Sequence, residues 1–166
     1  MKKTRTLSWH IDQREAHVLV TLSGEVNENA RLEPLAVELS RLTGKVRLDL
    51  SQVRRLNSTG VREWVNFMRL VGKNERIELE YIRCSIPIVS QINMIADFQG
   101  PATVTSFFAP YADEDTGDEE TRLLIVDDVD PVDPPVFKED GKTWELDELP
   151  ERYLLFIKLQ RQRDRL

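Results

Sequence analysis

Leu7, Trp9 and Ile11 alternate with polar neighbours, and Val18, Val20 and Leu22 repeat the pattern up to Ser23-Gly24. Alternation with period two puts one face of an extended chain against a core, so both stretches predict half-buried strands. The period then changes. Leu32, Leu35, Leu39 and Leu42 recur at helical spacing, with Pro34 tolerable only in the first turn and Gly44 as the stop. Lys45 to Leu50 reads as a strand with Val46, Leu48 and Leu50 on one face. Val61, Trp64, Val65, Met68 and Val71 form a second helical stripe, closed by Gly72. Ile77, Leu79 and Tyr81 alternate again. Pro87 opens a shorter helical stretch through Ile88, Val89, Ile92 and Ile95, and Thr103 to Phe108 predicts a last strand.

The order is β-β-α-β-α-β-α-β. Strands separated by one helix are expected to lie parallel and adjacent, with right-handed crossovers. Residues 1–110 therefore predict an α/β domain, a small mixed sheet packed with helices around Trp64, Met68 and the leucine stripe of the first helix. Residues 111–166 predict a small β-rich extension that ends in a helix. Arg122 to Val126 is a short apolar run, and Val136-Phe137 and Trp144-Glu145-Leu146 fit two strands around a turn at Asp140-Gly141. Pro150 opens an amphipathic helix with Tyr153, Leu154, Phe156 and Ile157 as its apolar face. So small a core needs a staple or a host to lean on.

A length of 166 residues suits one domain plus an appendage. Cys84 is the only cysteine, so an intramolecular disulfide and a four-thiolate zinc site are excluded. With His10 and His17 as the only histidines, the usual structural zinc sets are excluded too. Both histidines fall in or beside strands and are expected at the surface, and Cys84 is expected as a small buried hydrophobe. No apolar run approaches the ~20 residues of a membrane span. Met1-Lys2-Lys3-Thr4-Arg5 starts like a signal peptide but meets Trp9-His10-Ile11-Asp12 in place of an apolar region. A cytoplasmic protein with no membrane partner and no cofactor is the expectation.

The net charge of −6 is unevenly placed. Met1 to Tyr111 carries 15 basic and 12 acidic residues, Ala112 to Asp133 has Arg122 against 10 acids, and Pro134 to Leu166 balances at 7 and 7. The chain ends on a basic tail of Lys158, Arg161, Arg163 and Arg165. The acidic stretch holds the turn signals Thr116-Gly117 and Asp133-Pro134-Pro135. It reads as a solvated loop or disordered bridge, or else as an acidic surface for a basic partner. The weak positive balance of the first part, with no aromatic clustering among its basic residues, leaves no nucleic-acid footprint.

The informative stretch runs from Val46 to Val61. A buried strand ends near Leu50, a short loop follows that Val53 and Leu56 can anchor, and a helix starts between Ser58 and Gly60. Asn57, Ser58 and Thr59 are natural caps, because a side-chain oxygen takes an orphan N–H of the first turn. The same geometry is an anion site, where a phosphorylated hydroxyl would meet free N–H groups. Asp49-Leu50-Ser51 followed six residues on by Asn57-Ser58-Thr59-Gly60 and an apolar helix resembles the STAS domain, the module of bacterial anti-sigma-factor antagonists and sulfate-transporter tails. With the element order, the resemblance covers residues 7 to 108.

The resemblance implies a protein-binding switch and no enzyme. Ser58 matches the phosphoacceptor, with Thr59 as second choice. The partner would be a serine kinase that doubles as the anti-sigma factor, or another regulatory protein. The docking surface would be Asn57, Ser58, Thr59, Gly60, Val61 and Arg62, together with the loop after Ser23-Gly24. The sequence departs from the family at Asn57, where the pattern has Asp, and Arg54-Arg55 make this loop more basic.

The extension resembles a zinc ribbon without its cysteines, with Ala112, Asp115, Phe137 and Asp140 at the four knuckle positions, or else is an extension unrelated to ribbons. Zinc is not expected there, and Phe137, Trp144, Tyr153 and Phe156 must then dock on the body or on another protein. No Gly-rich phosphate loop, Gly-x-Ser-x-Gly or His-rich ligand set marks an enzyme. Three readings stand: a STAS switch protein, a STAS scaffold whose C-terminal module mediates assembly with a partner or a homo-oligomer, and a small-ligand α/β domain.

Overall fold

In the computed structural model, which describes residues 5–166, the two halves of the chain build separate sheets. Strands β1 (Ser8–Gln13) and β2 (Val18–Val26) pair antiparallel. They are followed by α1 (Glu33–Ser40), β3 (Gly44–Leu56), α2 (Ser58–Val71), β4 (Ile77–Ile82), α3 (Ile86–Met94), the single turn α4 (Ala96–Gln99) and the short β5 (Thr103–Val104). The sheet order is β1-β2-β3-β4-β5, and every pair from β2 onward is parallel. This is the mixed α/β sheet that the change of period predicts, since each helix returns the chain to start the next strand in the same direction.

The two faces of this sheet differ. Val20, Leu22, Val46, Leu48, Leu50 and Tyr81 are buried. On the other face Lys45, Arg47 and Asp49 of β3 lie beside Glu78, Glu80 and Ile82 of β4. Buried Glu80 is held there by Arg47 at 2.9 Å and Lys45 at 3.4 Å. Fully buried Trp64 stacks on Phe98 at 5.5 Å and donates its indole N–H to the Tyr81 hydroxyl (3.1 Å) and to Phe98 O (3.2 Å). Tyr81 donates in turn to Phe98 O at 2.8 Å, so the polar atoms of this aromatic cluster are satisfied among themselves.

The second sheet has β6 (Ser106–Asp113), β7 (Glu119–Ile125), β8 (Phe137–Glu139) and β9 (Lys142–Leu146) in the antiparallel order β7-β6-β9-β8. A single 3-10 turn over Val126–Asp128 follows β7, and α5 (Pro150–Tyr153) and α6 (Leu155–Asp164) close the chain. The sheets meet where β4 ends: Cys84 pairs with Phe107, its N–H donating to Ser106 O and its carbonyl accepting from Phe108. Arg83 takes a positive φ of 50° at this step, its N–H bonded to Ser106 Oγ at 2.8 Å. No helix among the described residues is long and apolar enough to cross a membrane.

The strand expected over Thr103–Phe108 is two strands in two sheets. β4 has only six residues, so its regular parallel ladder stops at Val104 and only the single Cys84–Phe107 bridge continues it, while from Ser106 onward the chain pairs antiparallel with β7. The change of sheet falls at Thr105, five residues before the boundary drawn at residue 110. Of the acidic stretch from Ala112 to Asp133, the part up to Asp128 is hairpin and 3-10 turn, while Val129 to Asp133 is irregular chain as expected of a loop. The first half of the stretch closes the β6–β7 hairpin, because the alternation of buried Phe107, Ala109, Tyr111 and Asp113 carries β6 past Phe108. The last helix is broken at Leu154 into α5 and α6.

α5 and α6 dock the second sheet on the first. Phe156 meets Phe107 edge-on at 5.1 Å, and the Tyr153 hydroxyl donates to Phe108 O. Asn93 of α3 bridges the break, donating to Tyr153 O (2.8 Å) and accepting from Phe156 N–H (2.9 Å). Buried Gln160 closes the edge of β5: its amide oxygen accepts from Val104 N–H (2.8 Å) and its amide nitrogen donates to Val104 O (2.9 Å). One side chain thus stands in for a neighbouring strand. The basic tail serves the same docking, with Arg161 donating to Val126 O and Val129 O and Arg163 to Gly100 O and Ala102 O.

Candidate functional site

The site is built at the point where β3 hands over to α2. β3 does not stop near Leu50 but continues as strand to Leu56. Two irregularities make this work. Between Thr21↔Asp49 and Ser23↔Gln52 the β3 side has one residue more than β2, and between Gly24↔Val53 and Glu25↔Arg55 it has one more again. Each extra residue bends and twists a strand. The first bulge is supported by buried Asp49, whose Oδ1 accepts from Ser51 N–H at 3.0 Å while Oδ2 lies 3.5 Å from Arg83. The Asp-x-Ser pattern is therefore a bulge support, with its carboxylate spent on the backbone and on Arg83.

At the end of β3, Asn57 caps α2. Its Oδ1 accepts from Gly60 N–H at 2.8 Å, and its own backbone N–H donates to Val26 O at 3.2 Å. Gly60 lies against that same peptide: a β-carbon there would sit 1.8 Å from Val26 O and 2.3 Å from Val26 C. Only glycine lets the first turn of α2 rest directly on the end of β2.

Ser58 and Thr59 are the first two residues of α2 and both are exposed. Neither hydroxyl takes part in a hydrogen bond among the described residues. With Gly60 N–H on Asn57 Oδ1 and Val61 N–H on Asn57 O, the N–H groups left at the helix start are those of Ser58 and Thr59. Val61 is half-buried and Arg62 is exposed one position on.

α2 has no acidic residue in its first turn. The carboxylate that Asn57 lacks comes from another loop: Glu28 Oε2 accepts from Asn57 Nδ2 at 2.6 Å. Hydrogen bonds from its own backbone N–H and from the Asn57 amide hold the Glu28 carboxyl below its ordinary range. Asn57 thus bridges a helix N–H on one side and a carboxylate on the other, which an aspartate could not do without two like charges meeting. Sequence reading missed Glu28, and no local signal marks it, because it stands 29 residues from its partner.

The structure brings Asn57, Ser58, Thr59, Gly60, Val61 and Arg62 together at one helix entrance, facing the loop that starts at Asn27. Ser23 and Gly24 are not part of that loop. They lie inside β2, paired with Gln52 and Val53, and Gly24 (φ 119°) is pressed under the backbone of Arg5 and Thr6. Val26, three residues beyond Ser23 and two beyond Gly24, is the residue beside the entrance; that is about 7–10 Å along a strand. An open groove of about 710 Å³ lined by Val37, Ser40, Leu70 and Asn74 sits at the opposite end of α2 from Ser58.

The four ribbon-like positions fall at the two hairpin turns, which the pairing of Asp113 with Trp144 brings to one end of the second sheet. Ala112 and Phe137 are strand residues; Asp115 and Asp140 lie in the turns. The turns are fastened by the residue beside Ala112. Asp113, almost fully buried, accepts from the Thr116 hydroxyl (2.7 Å), Thr116 N–H (3.2 Å) and, across the turns, Thr143 N–H (3.2 Å). The Thr116 hydroxyl foremost holds its carboxyl below the ordinary range. Lys142 pairs with Asp118 across the same gap, and Arg122 joins Glu120 to Glu139 while lying 4.2 Å over the Phe137 ring. His10 is exposed and His17 half-buried. Cys84 is fully buried, and burial pushes its thiol well above its usual value, so it stays protonated. The chain matches no protein-family model and none of the curated proteins it was compared with.

Proposed function

We propose that this protein is a non-enzymatic regulator of the STAS, anti-sigma-factor-antagonist type, which binds a serine kinase or related regulatory protein through the entrance to α2. The supporting observation is Ser58, an exposed hydroxyl with no hydrogen bond among the described residues, on the first residue of a 14-residue helix that is seated by Asn57 and Gly60. A phosphate there adds about −1.5 to −2 charges next to Glu28. It would change the docking surface by repulsion while Trp64 and the core beneath stay untouched. Incubation with a cognate serine kinase and ATP should label the chain at Ser58. Absence of label, or label that survives Ser58→Ala combined with Thr59→Ala, refutes the switch.

A second reading, a scaffold that is not phosphorylated, is favoured by Asn57 in place of the family's aspartate. Removing 112–166 does not test it cleanly, because Val104 would lose Gln160 and Phe107 would lose Phe156. Its test is partner capture by the full chain carrying Ser58→Ala: capture equal to the unsubstituted chain, with no phosphorylation in either, supports the scaffold.

A further inference from the structure

β7 is one of the two edge strands of the second sheet, the three-residue β8 being the other. The bonds that continue its ladder with β6 at either end are Val126 N–H to Thr105 O and Asp113 N–H to Asp118 O, each 2.9 Å. Antiparallel ladders alternate between hydrogen-bonded and non-hydrogen-bonded pairs. With Phe107 opposite Leu124 and Ala109 opposite Arg122, the alternation turns the backbone of Glu120, Arg122 and Leu124 toward β6. The N–H and C=O groups of Glu119, Thr121, Leu123 and Ile125 point the other way, and no loop or helix among the described residues bonds to them. Leu123 and Ile125 also expose 45% and 47% of their surface. Soluble proteins normally cover or charge such an edge. This chain does so at β5, where Gln160 occupies both groups of Val104.

The surrounding charge selects the occupant. Glu114, Asp115 and Glu119 stand at one end of β7 and Asp127, Asp128 and Asp130 at the other, all exposed and in no ion pair among the described residues. The one cation of the stretch, Arg122, is engaged by Glu120 and Glu139. A second copy of this chain would set these carboxylates against their own kind.

We propose that β7 docks an extended segment of a partner protein as a fifth strand of the second sheet, with apolar residues at alternate positions and Lys or Arg at both ends. Backbone bonding to the free edge supplies the attachment, Leu123 and Ile125 accept the apolar residues, and the terminal acids set the charge. This surface is separate from Ser58, and its use does not depend on phosphorylation.

A fluorescently labelled peptide Lys-Lys-Val-Thr-Val-Thr-Val-Lys-Lys, titrated with the full chain, tests it. Binding about tenfold tighter than for the same peptide with Glu at both ends is expected, weakening with added salt. Methylation of alternate amides of the peptide should abolish binding, whatever the fold of any variant. Leu123→Pro removes one outward N–H and no β6–β7 bond, so the folded variant should bind about tenfold more weakly. Glu119→Lys with Asp127→Lys leaves two acids against one lysine at each end, so the preference for the basic peptide should shrink several-fold without reversing. No binding, binding indifferent to amide methylation or to Leu123→Pro, or concentration-dependent dimers of the free chain that Leu123→Pro dissolves, would overturn the proposal.

Discussion

In the first sheet, Val20, Leu22, Val46, Leu48, Leu50 and Tyr81 are all at 0% exposure, spread over three adjacent strands. In the second, only Phe107, Ala109 and Tyr111 of β6 reach that value, with Leu124 at 5% and Trp144 at 8%. The first sheet thus carries its own core. The second borrows one, through Phe156 and Tyr153 on Phe107, and closes its far end with carboxylates, Asp113 on two turns and Glu120 and Glu139 on Arg122. The first sheet has bonded carboxylates of its own, Glu80 on Arg47 and Lys45 and Asp49 on Ser51 N–H and Arg83. Its strands also rest on an apolar face whose burial is insensitive to pH, whereas the turns of the second sheet rest on carboxylates that hold only while ionised. The two sheets should therefore fail under different insults.

Gly60→Ala is expected to do the most damage, about 4–5 kcal/mol, because the new methyl has only the Val26 peptide to displace. Urea unfolding should show the loss across the whole chain; a change under about 1 kcal/mol would mean that α2 does not rest on β2. Phe156→Ala should cost about 3–4 kcal/mol. Here the loss should be uneven, with amide exchange rising through β6–β9 before β2 and β3. Uniform acceleration would show that the second sheet does not open by itself. Gln160→Leu leaves Val104 N–H and C=O buried without partners and should cost about 1–3 kcal/mol. Its mark is faster exchange at Val104, while the same substitution at an exposed α6 position such as Gln162 should be near neutral.

Acid should separate the sheets with the smallest perturbation. Asp113, Asp118 and Glu139 are each held below the ordinary carboxylate range, by the Thr116 hydroxyl, Lys142 and Arg122 respectively. A carboxyl whose folded value is depressed stabilises the fold fully above its unfolded value, and that contribution is lost as pH falls through the folded value. Amides of the Asp113–Asp118 and Glu139–Lys142 turns should lose protection below the ordinary carboxylate range while β2–β4 keep theirs. Asp113→Ala should produce the same loosening of the turns at neutral pH. Turns that stay protected in acid would assign the second sheet's stability to docking alone.

The helix and strand order of residues 7–102 was legible because each element there has one buried face, and burial imposes its period on the sequence. Asn57, Ser58 and Gly60 were legible for a similar reason: helix starts have a small local vocabulary. The strand end at Leu50 was misread because Ser51, Gln52, Arg54 and Arg55 are polar, and bulges that keep them in the sheet follow from the register of β2, a separate strand. Asp113 was visible only as one acid among ten, since what distinguishes it is Thr143, thirty residues away.

By itself the sequence determined the periods, the caps and the exclusions: one thiol, two imidazoles, and an acidic stretch with a single cation. Tertiary structure alone decided that Glu28 completes the α2 entrance, that Gln160 closes β5 and that β7 stays open. Local pattern records which face of an element is buried. The partner of a polar group or a strand edge is chosen by where distant segments come to rest, and nothing in the neighbouring residues encodes that position.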